Sequence, residues 1–216
     1  MADALNDTLR TLLDTYVADT FVQEDDVLQW VQSEAARHEL PAISVRGFEG
    51  RLLQMLVYIS GAKQIVEIGT LAGYSGVWLA RALPAGGRLY TLEKSSKHAA
   101  VARATFERAG LNRKVELLEG DAMTSLNQLA PRNPFDMVFI DADRPHYHDY
   151  LNWAAENLRP GGLVAAHNAF RSGRVLAPEN EDDRFVAAFN AALAKDTRFE
   201  AFVMAIGDGL SVGVRR

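Results

Sequence analysis

The chain of 216 residues contains no cysteine. That absence excludes disulfides, thiolate-held zinc, iron–sulfur clusters and cysteine nucleophiles together, so any chemistry must rest on oxygen and nitrogen groups. Positive charge is also scarce. Lysine and arginine number 23 against 28 aspartates and glutamates, a net charge of −5, which leaves no broad basic surface for a nucleic-acid backbone or an anionic membrane. No apolar run approaches the ~20 residues of a membrane span. The opening Met1-Ala2-Asp3-Ala4-Leu5-Asn6-Asp7 carries acid where a secretory signal carries base. A cytoplasmic protein with a small-molecule partner is the expectation, without nucleic acid or membrane. The composition, 48% hydrophobic and 24% charged, suits one globular domain with a full-sized core.

Periodicity divides the chain into a helical preface over residues 1–61 and an α/β core over 62–216. Leu5, Leu9, Leu12, Leu13, Tyr16 and Val17 share one helical face, and Val27, Leu28, Trp30 and Val31 begin a second apolar pattern that Pro41 ends. A third helix carries Leu52, Leu53, Leu56 and Val57 and stops at Gly61. Beyond it, short apolar runs at 64–68, 89–92, 115–118, 137–140 and 163–166 predict five strands separated by helix-length segments. Continuous rather than alternating apolar character marks a parallel sheet covered on both faces. Segments 199–206 and 210–214 flank Gly207-Asp208-Gly209, a link so short that it predicts an antiparallel hairpin. The fold expected is a doubly wound, mostly parallel seven-stranded sheet of Rossmann-like type with a C-terminal hairpin.

The segment Val66-Glu67-Ile68-Gly69-Thr70-Leu71-Ala72-Gly73-Tyr74-Ser75-Gly76 runs from strand through a glycine-rich turn into a helix. Ligands of open α/β sheets lie at such strand ends, where glycine lets the backbone turn sharply and approach closely. Leu71 stands where the dinucleotide fingerprint needs its second glycine. Charge separates the cofactors further. Glu67, Glu93, Asp121 and Asp141 place a carboxylate at four successive strand ends, which would repel a phosphate-bearing dinucleotide but suits S-adenosylmethionine, with its sulfonium and ammonium. Glu67 would then receive the ammonium through water or backbone, Glu93 the ribose hydroxyls and Asp121 the adenine amino group. Each acid taken alone also reads as a helix cap or a solvated loop charge.

Four motifs, 66–75, Glu119-Gly120-Asp121-Ala122, Phe139-Ile140-Asp141-Ala142-Asp143 and Leu158-Arg159-Pro160-Gly161-Gly162, together resemble the cation-dependent O-methyltransferases that include catechol and caffeoyl-coenzyme A O-methyltransferases, especially their small bacterial members. The resemblance runs from Leu40 to the C-terminus. It implies cofactor contacts from Glu67, Gly69, Ser75, Glu93, Asp121, Ala122 and Asp141, with Val45 beside the methionine end. It also implies a homodimer, the helical preface forming the interface or covering the acceptor site.

In that family a divalent cation, held by an aspartate after the fourth strand and an Asp-Asn pair after the fifth, binds two neighbouring hydroxyls and lowers the pKa of one of them. A lysine three residues beyond the first aspartate accepts the proton. The chain matches at Asp141 and Asn168 and departs at His167 and Arg144. Arginine stays protonated, so Arg144 binds or orients. His167 has three readings: a metal ligand with Asp141 and Asn168, favouring later transition metals over Mg; the general base; or a hydrogen-bonded residue at a strand end. The catalytic candidates are thus Asp141, His167 and Arg144, with magnesium dependence expected to be weak or absent.

Asp143, His146, His148 and Asp149 read as the start of a helix rather than a second metal cluster, and Tyr147, Tyr150 and Trp153 as core. His38 and His98, in helical and mostly polar surroundings, take no role. Two further functions are compatible with the motifs: a nicotinamide-dependent oxidoreductase, disfavoured by Leu71 and the acidic strand ends, and a non-catalytic S-adenosylmethionine-binding regulator, suggested by the substitutions at 144 and 167.

Overall fold

Five nearly continuous apolar runs form the parallel strands β1 (Gln64–Ile68), β2 (Arg88–Glu93), β3 (Val115–Glu119), β4 (Phe135–Ile140) and β5 (Leu158–His167), seen in a computed structural model that describes residues 2–216. The side chains of residues 2–8 and 10 lie outside the described residues, and with them Leu5 of the first helical face. The hairpin strands β6 (Phe199–Met204) and β7 (Leu210–Arg215) complete a seven-stranded sheet of order β3-β2-β1-β4-β5-β7-β6, antiparallel only at β5-β7-β6. Strand order reverses between β1 and β4, so a crevice opens at their C-terminal ends.

Both faces are covered. Ile65, Leu89, Met137 and Phe139 join α2 (Asp26–Arg37), α3 (Gly47–Ser60), α4 (Tyr74–Ala82) and α5 (Ser96–Arg108) in one core. Their strand neighbours Val66, Ile68, Val138 and Ile140 face α6 (Ala122–Leu129), α7 (Tyr147–Asn157) and α8 (Glu181–Lys195) in the other. Tyr147, Tyr150 and Trp153 are buried in that second core. Local chemistry sets the helix ends: the Asp25 carboxylate accepts from the Leu28 N–H at 3.1 Å to start α2, and Gly61, at φ 63°, ends α3.

The fifth strand begins earlier than its apolar run, since Leu158-Arg159-Pro160-Gly161-Gly162 is drawn into β5 by pairing of Leu158 with Phe135 and a register shift before Met137. The first helix, α1 (Ala2–Phe21), leaves its apolar face uncovered: Leu9, Leu12, Leu13, Tyr16 and Phe21 are each more than half exposed.

Candidate active site

The ends of β1, β2 and β4 are tied into one platform. Gly69 N–H donates to the Leu92 carbonyl at 3.0 Å and Asp141 N–H to the Ile68 carbonyl at 2.9 Å. Gly69 sits at φ 96°, and a Cβ there would collide with the Asp141 carbonyl oxygen, so this position demands glycine on both conformational and steric grounds. The turn then folds back onto Glu93. One Glu93 oxygen accepts from the N–H groups of Leu71 (2.8 Å) and Thr70 (3.3 Å), the other from Ser95 N–H (2.9 Å). His98, to which the sequence assigns no role, lies on the cleft with Nδ1 3.4 Å from Glu93. Asp121 caps α6 through Thr124 N–H at 2.8 Å and Thr124 Oγ1 at 2.9 Å while also bordering the cleft.

The Glu67 carboxylate is fully buried and accepts from Ser75 Oγ and Thr91 Oγ1, both at 2.6 Å. Burial pushes its pKa up to about 7 against the pull of those two hydroxyls. The residue that borders the cleft is Ser75, which Glu67 holds in place.

A cleft of about 950 Å³ brings the remaining expected residues together. Val45, Gly69, Ser75, Glu93, Asp121, Ala122, Asp141, Arg144, His167 and Asn168 all line it. His146 also borders it, within 3.6 Å of Asp143 and 3.4 Å of Asp149, while among the described residues no group of histidines and acids is arranged to hold a metal ion.

On the cleft, His167 lies beside two carboxylates. Nε2 lies 3.2 Å from Glu49 Oε1 and Nδ1 3.5 Å from Asp141 Oδ2, and the ring is 6% exposed. Neither contact has directional hydrogen-bond geometry, so they act as ion pairs. Burial opposes charge on the imidazole, but Asp141 and Glu49 outweigh it and raise the pKa to about 10. Glu49 responds in the opposite sense: burial would raise its pKa, yet His167 and the N–H groups of Arg46 and Asp208 hold it below the usual carboxylate range. Both ring nitrogens of His167 thus face carboxylates, the positions from which the ring would ligate a cation or accept a proton.

Glu49 has a sequence signal, but of another kind: an acid three residues into a helix reads as a cap, and Glu49 does accept from Arg46 N–H at 2.7 Å. Asp208, in the hairpin turn, accepts from Ser172 N–H at 2.6 Å and donates its own N–H to Glu49 at 3.4 Å. Adjacent Gly207 packs where a Cβ would strike the Glu49 carboxylate.

A family model for O-methyltransferases matches residues 18–216. The chain belongs to the O-methyltransferase family. It is 43% identical over 204 residues to a catechol O-methyltransferase of Niastella koreensis, covering 93% of this chain and 92% of the relative. A catechol O-methyltransferase of Mycobacterium tuberculosis is 40% identical over 82% of this chain and 79% of its own. Among solved structures, an O-methyltransferase from Bacillus cereus in complex with SAH superposes with a TM-score of 0.90 at 38% identity, covering 97% of this chain and 99% of that one. An O-methyltransferase from Streptomyces achromogenes in complex with SAM gives 0.87 at 33%, covering 94% and 95%. This O-methyltransferase is S-adenosylmethionine-dependent, and the oxidoreductase and regulator readings fall away. None of its described helices is long and apolar enough to cross a membrane.

Proposed function

We propose that this O-methyltransferase moves the methyl group of S-adenosylmethionine to a hydroxyl of a small catechol-like acceptor lying against Asp141, His167 and Arg144. The observation that carries the reading is one cleft bordered both by the strand-end polar groups and by the Glu49–His167–Asp141 cluster. Glu93 retains one of its about four acceptor sites beyond the three backbone bonds it accepts and takes a ribose hydroxyl there; Asp121 and Ala122 take the adenine edge; Val45, Gly69 and Ser75 take the methionine end. The names of the Niastella and Mycobacterium relatives support the acceptor class.

The acceptor oxygen attacks the methyl carbon in line with the breaking carbon–sulfur bond, the sulfonium charge is neutralised and the hydroxyl proton leaves. Asp141 takes that proton. His167, a cation held between carboxylates, stabilises the oxygen as it becomes anionic, and Arg144 orients the acceptor. No step passes through a metal. The test pairs calorimetric titration with S-adenosylhomocysteine and product formation on a panel of vicinal diphenols. Binding of cofactor with no S-adenosylhomocysteine formed from any of them would refute the catalytic assignment.

We also propose a homodimer joined through α1, whose exposed apolar face supports a second copy as its cover. Light scattering is expected to give the mass of two chains, and Leu12→Glu to halve it. A single-chain mass for the unaltered protein would sink the proposal.

A further inference from the structure

Three arginines, Arg46, Arg144 and Arg171, border the cleft. Two are engaged. Arg171 Nε donates to Asp183 at 2.9 Å, and Arg46 lies over the Phe48 ring with a nitrogen 3.6 Å from Asp14. Arg144 differs: among the described residues its side chain has no ion-pair partner, and its Nε is buried without a hydrogen bond.

Carboxylates that border the same cleft have partners of their own. Glu49 and Asp141 face His167; Asp143 accepts from the Tyr150 hydroxyl at 2.9 Å; Asp208 accepts from Ser172 N–H. A buried donor on a permanent cation is left for a ligand to satisfy, and the planar guanidinium fork matches a carboxylate better than a neutral hydroxyl. Because arginine cannot accept a proton, its presence where the resembling family carries a proton-accepting lysine exchanges a base for an anion-binding group.

Resting on the methyl-transfer reading above, we infer that Arg144 binds a carboxylate carried by the acceptor, so that the preferred acceptor is a carboxylated catechol rather than catechol itself. The carboxylate sits on Arg144 and the reacting hydroxyl on Asp141 and His167, which fixes which oxygen faces the methyl group.

Calorimetric titration of the S-adenosylhomocysteine-loaded protein with 3,4-dihydroxybenzoate, 2,3-dihydroxybenzoate and their primary amides tests this, alongside turnover of the same compounds and of catechol. At least one acid is expected to bind tenfold or more tighter than its amide. Arg144→Gln should bring that ratio near one and Arg144→Lys should keep part of it, with S-adenosylhomocysteine affinity unchanged in both. A ratio near one for both isomers in the unaltered protein, with catechols still methylated, overturns this inference and leaves methyl transfer standing. A ratio unmoved by Arg144→Gln does the same. Loss of S-adenosylhomocysteine affinity in the variants would assign Arg144 to the cofactor's own carboxylate, also against the inference. Failure of every compound to bind or react would overturn it together with the catechol reading beneath it.

Discussion

The Glu49 carboxylate on α3 and the His167 imidazole at the end of β5 lie 3.2 Å apart, both almost fully buried. The pair joins a helix of the preface to the centre of the sheet, and the Asp208 N–H of the hairpin turn reaches the same Glu49 oxygen. Loop, sheet and preface thus meet on one buried charge pair at the edge of the cleft.

That pair makes stability depend on pH in a definite direction. His167 titrates near 6.5 when unfolded and holds its proton to about 10 in the fold, so its contribution is complete below about pH 6.5 and is lost as pH rises through about 10. The thermal midpoint should fall across that window more steeply in the unaltered protein than in His167→Gln. Glu49→Gln should destabilise the protein at pH 7 by about 1–3 kcal/mol, the usual range for a lost contact to a charged group. Parallel profiles for unaltered protein and His167→Gln would show that the pair does not govern folding.

The parallel strands, the hairpin and the glycine turn were legible because each is local: apolar runs of strand length, a three-residue link, and glycine where φ is positive. The strand-end acids were legible as a group because parallel strands all open on one edge. The burial of Glu67 against Ser75 and Thr91 was not legible, because Thr91 comes from the neighbouring strand and Ser75 from the helix after the glycine turn. The Glu49–His167 pair was illegible for a different reason. Its partners come from distant elements, and the one local pattern at Glu49 belongs to a helix cap. The apolar face of α1 was visible in the spacing of its leucines.

Glu93 joins the glycine turn to the second strand, so its loss should act on the cofactor. Glu93→Ala is expected to weaken S-adenosylhomocysteine binding by about 1.5–3 kcal/mol, the range for hydrogen bonds to a charged group, measured by calorimetry. Glu93→Gln, which keeps one acceptor oxygen, should lose less. Affinity equal to that of the unaltered protein in Glu93→Ala would remove Glu93 from the site.

Asp183 on α8 has no exposed surface and accepts from Arg171 Nε and Arg174 Nε, which lie on the loop following Asn168. That loop carries non-glycine residues at positive φ, Arg171 at 51° and Ser172 at 53°, a conformation that needs outside contacts to persist. Asp183→Ala should speed amide hydrogen exchange over residues 170–177 and raise the acceptor KM more than it lowers kcat. Exchange rates equal to those of the unaltered protein would show that Asp183 does not hold the loop.

The final prediction concerns the position where an imidazole replaces a carboxylate. In the cation-dependent pattern the residue at 167 offers a negative oxygen to a hard divalent ion; here it is a ring whose nitrogens face Glu49 and Asp141 and whose proton persists to about pH 10. A cation entering this cluster would have to displace that proton and then compete with it for both carboxylates. Methyl transfer should therefore survive a chelator, and added magnesium should change the rate little. Nor should the rate show an acid limb near 6.5 from His167, because the group remains protonated on both sides of that value. His167→Asp removes the internal cation and restores an oxygen donor beside Asp141 and Asn168. The variant is expected to lose activity in chelator and recover it with magnesium, the reverse of its parent. If instead the parent loses activity to chelator and regains it best with manganese, nickel, cobalt or zinc, His167 is a metal ligand after all. If both proteins ignore chelator and His167→Ala keeps full rate, the imidazole takes no part in the reaction and catalysis rests on alignment of donor and acceptor.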